Sequence, residues 1–402
     1  MSEDEDGLLE AGAMQAYAPD RLYVDGGLSR HKVVLVADGR IASICEAGVV
    51  PYGLQVLALD GLLAPGYVEL QINGCSGVIF NEGLSLGAVA TMAKTCREHG
   101  VTSFLPTLIT AADADIDAAF AIVERAIHEV PGVVGMHLEG PNLSVERRGT
   151  HPADLVRQLT DARLERVLDA AARGVLRLFT IAPESVTFPQ MRRMASAGLT
   201  LSVGHTAASA EDVLEAEACG VRMLTHLFNG MPPMGGRAPG AVGAAFASDR
   251  LMASIIVDHA HVSAISVKAA YRALGDRLFL VSDASASPDM GGQTFRFGGY
   301  TCHIENGVVR NHTGGIAGAA MLLDQIVANA AALLGDVGRA LFMATEMPAR
   351  MINKDDEIGV LAKGRRANFN LLDPSTLAVK RVWADGKEIR PERGGRAELR
   401  CS

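Results

Sequence analysis

The chain has 402 residues, 43 of them glycine, only 5% aromatics and a net charge of −9, which suits packed α/β layers and exceeds one ordinary core. The negative charge and the lack of a basic run argue against a nucleic-acid partner. The cysteines at 45, 75, 96, 219, 302 and 401 form no C-x-x-C site, and no apolar stretch reaches the ~18 residues of a bilayer span, so a reducing, cytoplasmic setting without a membrane partner is expected.

The chain opens on Met1-Ser2-Glu3-Asp4-Glu5-Asp6, whose acidity is the opposite of a signal peptide, and residues 1–20 read as a flexible acidic tail. Strand-like runs follow at Arg21 to Val24, Val33 to Val36 and Ile41 to Ile44, with turns such as Asp38-Gly39 between them. The same texture returns at Ala367 to Asp373 and Val379 to Trp383. Residues 1–63 and 355–402 are therefore expected to share one small β-sandwich domain, although two separate hairpins would read the same way.

Residues 64–354 alternate strand-like and Ala-rich helical segments. The strand candidates are Tyr67 to Ile72, Ser103 to Leu108, Val133 to Leu138, Leu176 to Ile181, Leu199 to Val203, Met223 to Leu227, Ala253 to Val257 and Phe279 to Ser282. Helices are expected over Leu86 to His99, Ile116 to Glu129, Leu155 to Arg173, Ala208 to Ala218, Ala319 to Leu334 and Val337 to Arg350. Alternation implies a parallel sheet, and eight units favour closure into a (β/α)8 barrel.

The polar residues that end these strands carry the functional signal. Glu139, His205, His226 and Asp283 each follow a buried apolar run. A barrel of this kind places its catalytic groups at that rim. Two imidazoles and a carboxylate can hold a divalent ion with one position open, and a second carboxylate can move protons. Taken singly, Glu139 or Asp283 reads equally well as a cap, and either histidine as a structural group. Together, in phase on different strands, they point to a metal-assisted hydrolase.

Gln71 and Asn73 fall on one face at the end of the first strand. Amides are poor transition-metal ligands, so a second tight ion is disfavoured. His151 lies in the loop after the third strand, where it is either solvent-exposed or in contact with substrate. Arg237, in the Gly/Pro-rich stretch 235–240, and His261 follow strands six and seven and could hold an anionic group.

The motifs Pro65 to Gly74, His137-Leu138-Glu139-Gly140-Pro141, Gly149-Thr150-His151-Pro152, Gly204-His205-Thr206, Thr225-His226-Leu227-Phe228-Asn229-Gly230-Met231-Pro232 and Ser282-Asp283-Ala284 occur in that order. With them the chain resembles the N-acetylglucosamine-6-phosphate deacetylases of the amidohydrolase superfamily. The resemblance implies Glu139, His205 and His226 as ligands of one divalent metal per subunit. Zinc is the first choice, with Fe2+, Mn2+ or Co2+ as alternatives. It implies Asp283 as the acid/base and His151 as the group polarising the substrate carbonyl. Asn229, the Gly230 backbone, Arg237 and His261 would hold the sugar phosphate in a homodimer, with a second subunit contributing, and Gln71 and Asn73 match the single-metal branch.

The chain departs from the family's usual pattern at Ser285 to Gly292, at His259 and at Ala367 to Asn370. The first two border the expected sugar pocket and leave the galacto epimer open as the alternative substrate. An amidohydrolase acting on a cyclic amide or an acylated amino acid is a more distant alternative. A non-catalytic sugar-phosphate sensor is another, though a sensor has no need of Asp283.

Overall fold

The computed structural model describes residues 14–389. Eight parallel strands form its centre: β1 (Tyr67–Ile72), β2 (Val101–Ile109), β3 (Met136–Glu139), β4 (Leu176–Ile181), β5 (Thr200–Val203), β6 (Val221–Leu224), β7 (Met252–Ile255) and β8 (Leu278–Leu280). Each pairs with its neighbour in sequence order. The ring closes between its ends, where the Asp283 N–H donates to Gln71 O at 2.9 Å and the Asn73 N–H to Ala284 O at 2.7 Å. The expected (β/α)8 barrel is thus present. β1 and β2 are buried along their whole length, as strands covered on both faces must be.

Eight helices follow the strands: α1 (Leu86–Glu98), α2 (Asp113–Glu129), α3 (Asp161–Ala172), α4 (Phe188–Ser196), α5 (Ala210–Ala218), α6 (Gly240–Ala247), α7 (Ala264–Leu274) and α8 (Leu323–Leu334). Several boundaries differ from expectation for identifiable reasons. α3 starts at 161 rather than 155, because Thr160 caps it and the preceding backbone is spent on tertiary bonds, Arg157 N–H to Pro141 O and Leu159 N–H to Ser185 O. The single helix expected from Val337 to Arg350 is two, α9 (Val337–Ala344) and α10 (Glu346–Met351). They break at Thr345, and Pro348 has no N–H with which to continue the ladder.

One substructure lies outside the expected pattern. Between β8 and α8 the chain forms a four-stranded antiparallel sheet from Thr294–Phe297, Tyr300–Glu305, Val308–Asn311 and Ile316–Ala319. This is why the helix expected from Ala319 begins only at Leu323. The sequence did carry a signal for it. Gly298-Gly299 and Asn306-Gly307 are two-residue turns with positive φ throughout, joining Phe297 to Tyr300 and Glu305 to Val308.

The chain ends build a second body. Gln15–Val24, Gly27–Ser29, Lys32–Ala37, Arg40–Glu46 and Val56–Pro65 share one eight-stranded sheet with Phe369–Leu372, Val379–Ala384 and Lys387–Ile389. The two ends meet antiparallel, with Leu63 opposite Leu371. They therefore form one β-domain rather than separate hairpins. Tyr17, Phe369 and Trp383 pack with ring centroids 5.0–5.6 Å apart. The tail expected over 1–20 ends earlier, since residues 15–20 open the first strand with Ala16 and Tyr17 buried; residues 1–13 lie outside the described residues. Among the described residues, no helix is long and apolar enough to cross a membrane.

Candidate metal centre

The barrel sets four polar groups on its C-terminal rim. Glu139 is the last residue of β3, and His205, His226 and Asp283 lie just beyond β5, β6 and β8. The last three have φ of 47°, 31° and 50°. Left-handed backbone costs a non-glycine residue about 1–2 kcal/mol, so the surrounding packing must impose it. The turn ends each strand and brings its side chain over the barrel mouth. Gly230 is needed beside this turn: its φ is 62°, and a Cβ there would lie 2.7 Å from His205 Nδ1.

Three donor atoms converge. His226 Nε2 lies 3.0 Å from Glu139 Oε1 and 3.1 Å from His205 Nε2, and His205 Nε2 lies 3.2 Å from Glu139 Oε1. A tetrahedral ion with ligands at about 2.0–2.1 Å requires ligand–ligand edges of about 3.4 Å, close to this triangle. His205 donates its Nδ1 proton to Arg147 O at 2.8 Å, which leaves Nε2 with its lone pair toward the cluster. The donor set fits a divalent metal.

His151 offers a competing third corner, since Glu139, His151 and His205 also present ligand atoms within 4.8 Å of one another. Its hydrogen bonds argue otherwise. The Thr110 backbone N–H donates to His151 Nδ1 at 3.3 Å, and Thr110 Oγ1 is 2.8 Å from the same atom. A nitrogen that accepts from a backbone N–H carries no proton, so His151 is the Nε2–H tautomer. It therefore faces the cavity as a donor rather than as a ligand lone pair. Burial and the nearby His205 hold His151 well below the usual imidazole range, so it stays neutral.

Asp283 stands across the cluster. Gln71 Nε2 is 3.1 Å from Asp283 Oδ1 and 3.2 Å from Glu139 Oε2, and Asn73 Nδ2 is 2.7 Å from Asp283 Oδ1. Both amides present N–H donors where a second ion would need lone pairs. Asn73 lines the cavity, whereas Gln71 lies buried behind Glu139 and Asp283, acting on those carboxylates rather than facing a ligand. Burial and then the Glu139 charge push Asp283 above the usual carboxylate range. Burial also opposes ionisation of Glu139, but the adjacent His205 and His226 rings hold it well below that range.

The cavity over these groups has a volume of ≈160 Å³. Asn229, Gly230 and His261 line it. His261 is fixed by Asp258, whose Oδ2 accepts from His261 Nδ1 at 2.7 Å. Arg237 does not reach it: the residue is exposed on the loop before α6, outside the lining. Sequence reasoning missed Ile109, at the end of β2, and Phe297 and Ile316, from the four-stranded insert, which form an apolar part of the wall. The two glycine-containing turns of the insert were the available signal.

An eight-stranded parallel barrel with a ligand triangle and a second carboxylate at its rim defines a barrel hydrolase whose site is built for a divalent ion. The amidohydrolase family profile matches residues 62–389. The chain is 36% identical over 376 residues to an N-acetylgalactosamine-6-phosphate deacetylase of Shewanella sp. (strain ANA-3), covering 91% of this chain and 94% of that protein. It is 32% identical over 369 residues to an N-acetylglucosamine-6-phosphate deacetylase of Haemophilus influenzae, covering 90% and 96%. The crystal structure of N-acetylglucosamine-6-phosphate deacetylase from Pasteurella multocida superposes with a TM-score of 0.89 at 30% identity, covering 94% of this chain and 100% of that one. The chain belongs to the amidohydrolase family.

Proposed function

We propose that this protein hydrolyses the N-acetyl group of N-acetylglucosamine 6-phosphate, giving glucosamine 6-phosphate and acetate. The observation that carries the reading is the Glu139–His205–His226 triangle with Asp283 across it. One divalent ion would be held by those three residues, zinc first, with Fe2+, Mn2+ or Co2+ as alternatives. When bound, such an ion polarises the amide carbonyl and makes water more acidic.

The chain's own residues supply the rest. The Nε2–H of His151 donates to the carbonyl oxygen and stabilises the charge that grows there during attack. Asp283 takes a proton from the attacking water as the new C–O bond forms. It then returns that proton to the amide nitrogen, so the C–N bond breaks to release a neutral amine. A raised carboxyl suits both halves of that role. Gln71 and Asn73 aim Asp283. On the sugar side, Asn229, the Gly230 N–H and His261 hold the phosphorylated end. Because Arg237 lies outside its own cavity, we assign its phosphate contact to a homodimer, in which the partner subunit's Arg237 completes the site. A cytoplasmic setting accords with the free cysteines Cys45, Cys75, Cys96, Cys219 and Cys302.

The galacto epimer remains the second reading, because one of the relatives above is named for it. Acetate release from both epimers, each with and without the 6-phosphate, tests the assignment. We expect turnover of the phosphorylated gluco sugar. Failure to release acetate from either sugar phosphate, with metal bound, would overturn the reading.

A further inference from the structure

The cavity wall divides by chemistry. The loops after β5 to β8 contribute polar groups, among them Asn229, His261 and Asp283, whereas Ile109 and Phe297 are apolar and belong to a separate core under the insert. Both are nearly buried, at 2% and 3% exposure, so their positions are fixed by packing. The insert presses directly on this side. Gly298 has φ of 60°, and a Cβ there would lie 2.4 Å from Thr150 O and 3.1 Å from Ile109 Cδ1. Only glycine lets the strand carrying Phe297 approach so closely.

This wall adjoins His151. Ile109 directly precedes Thr110, which sets the His151 tautomer. Thr150 Oγ1 bonds the carbonyl of Ile316, 3.4 Å away, on the last strand of the insert. A carbonyl carbon in an amide bears two further substituents, the nitrogen and the acyl chain. If the nitrogen and its sugar extend toward the polar loops after β6 and β7, the acyl chain points to the opposite side of the mouth. That side is Ile109 on β2 and Phe297 on the insert.

We propose that Ile109 and Phe297 form an acyl subsite that limits the substrate to a short acyl group, with Phe297 as its specificity-determining residue. This rests on the amide-hydrolase reading above and deepens it. The four-stranded insert is then the element that selects for acetyl, while the barrel supplies the chemistry.

The test compares N-acetyl, N-propionyl and N-butanoyl glucosamine 6-phosphate on the metal-loaded enzyme. Each added methylene should lower kcat/KM by roughly tenfold or more in the wild type, the usual scale of steric discrimination in an apolar pocket. Phe297→Ala should raise the butanoyl-to-acetyl ratio by ~10-fold or more. Phe297→Leu, which keeps most of the core volume, should move the same ratio in the same direction by less, and covers the case in which the alanine variant fails to fold. Equal losses on all three substrates would mean that Phe297 packs against the sugar or supports the fold, and would overturn the subsite. So would a wild type indifferent to acyl length. If the wild type released no acid from any of the three, the amide-hydrolase reading itself would fail, a result distinct from either.

Discussion

Asn73 donates its side-chain amide to Asp283 Oδ1 across 2.7 Å. Gln71 donates to the same oxygen at 3.1 Å. Two donors on Oδ1 leave Oδ2 as the oxygen that would exchange a proton in the proposed reaction. The carboxylate is therefore aimed before substrate arrives, at the cost of a left-handed backbone at φ 50°.

Asp283→Asn preserves shape but removes the proton acceptor. General acid–base groups contribute ~10²- to 10⁴-fold, so kcat should fall by at least that range. Metal content and substrate affinity should persist, measured by elemental analysis and by calorimetric titration. Near-normal turnover in the variant would remove Asp283 from the acid/base role.

The amide donors of Gln71 and Asn73 also bear on metal count. They point N–H groups at Asp283 and Glu139, where a second ion would seek lone pairs. Purified protein should hold one divalent ion per chain, and chelation should abolish activity in step with its loss. Two ions bound with similar tightness would contradict the arrangement.

The strand-end groups were legible because each closes an apolar run, and a buried run that stops at a carboxylate or imidazole demands a partner. Glu139, His205, His226 and Asp283 do meet at one rim. The insert was not read, because Phe295, Phe297 and Tyr300 are spread among polar residues and resemble loop; only its two-residue turns gave it away. The His151 tautomer depends on the Thr110 N–H, 41 positions away, a pairing that no local pattern encodes. Arg237 shows a third limit: a loop can be placed after its strand from sequence, but not on which side of the mouth it ends.

Asp258 holds His261 through a 2.7 Å bond to Nδ1 and also accepts the N–H groups of Ala260 and His261 at 2.9 Å. Burial opposes its ionisation, but these bonds, led by that from the His261 side chain, hold its carboxyl at about 2. A depressed carboxyl stabilises the fold above its unfolded pKa of about 4, and that contribution is lost as pH falls from about 4 through about 2. Asp258→Asn should therefore lower Tm at pH 7, with the gap to wild type closing as pH drops below about 4. It should also raise KM for the phosphorylated sugar more than it lowers kcat, since His261 would lose its orientation. A Tm gap that is constant down to pH 3 would mean the carboxylate charge contributes nothing.

Arg237 lies exposed outside the cavity of its own chain, yet its guanidinium is the cation best suited to grip a phosphate. A charge-assisted hydrogen bond is worth about 1.5–3 kcal/mol net, or about one to two decades in affinity. Arg237→Ala should lower kcat/KM by that factor for the phosphorylated sugar and leave the slow reaction of the unphosphorylated sugar nearly unchanged. Equal losses on both would make it a structural residue. Whether it acts across a homodimer can be read by mixing two crippled proteins. After dissociation and re-pairing, an Arg237→Ala chain keeps its own Asp283, and an Asp283→Asn chain can lend it the missing arginine. Random pairing puts one complete site in about half of the dimers, so the mixture should recover about a quarter of wild-type activity. If Arg237 serves its own chain, no complete site can form, and the mixture will show no more than the average of its two parents.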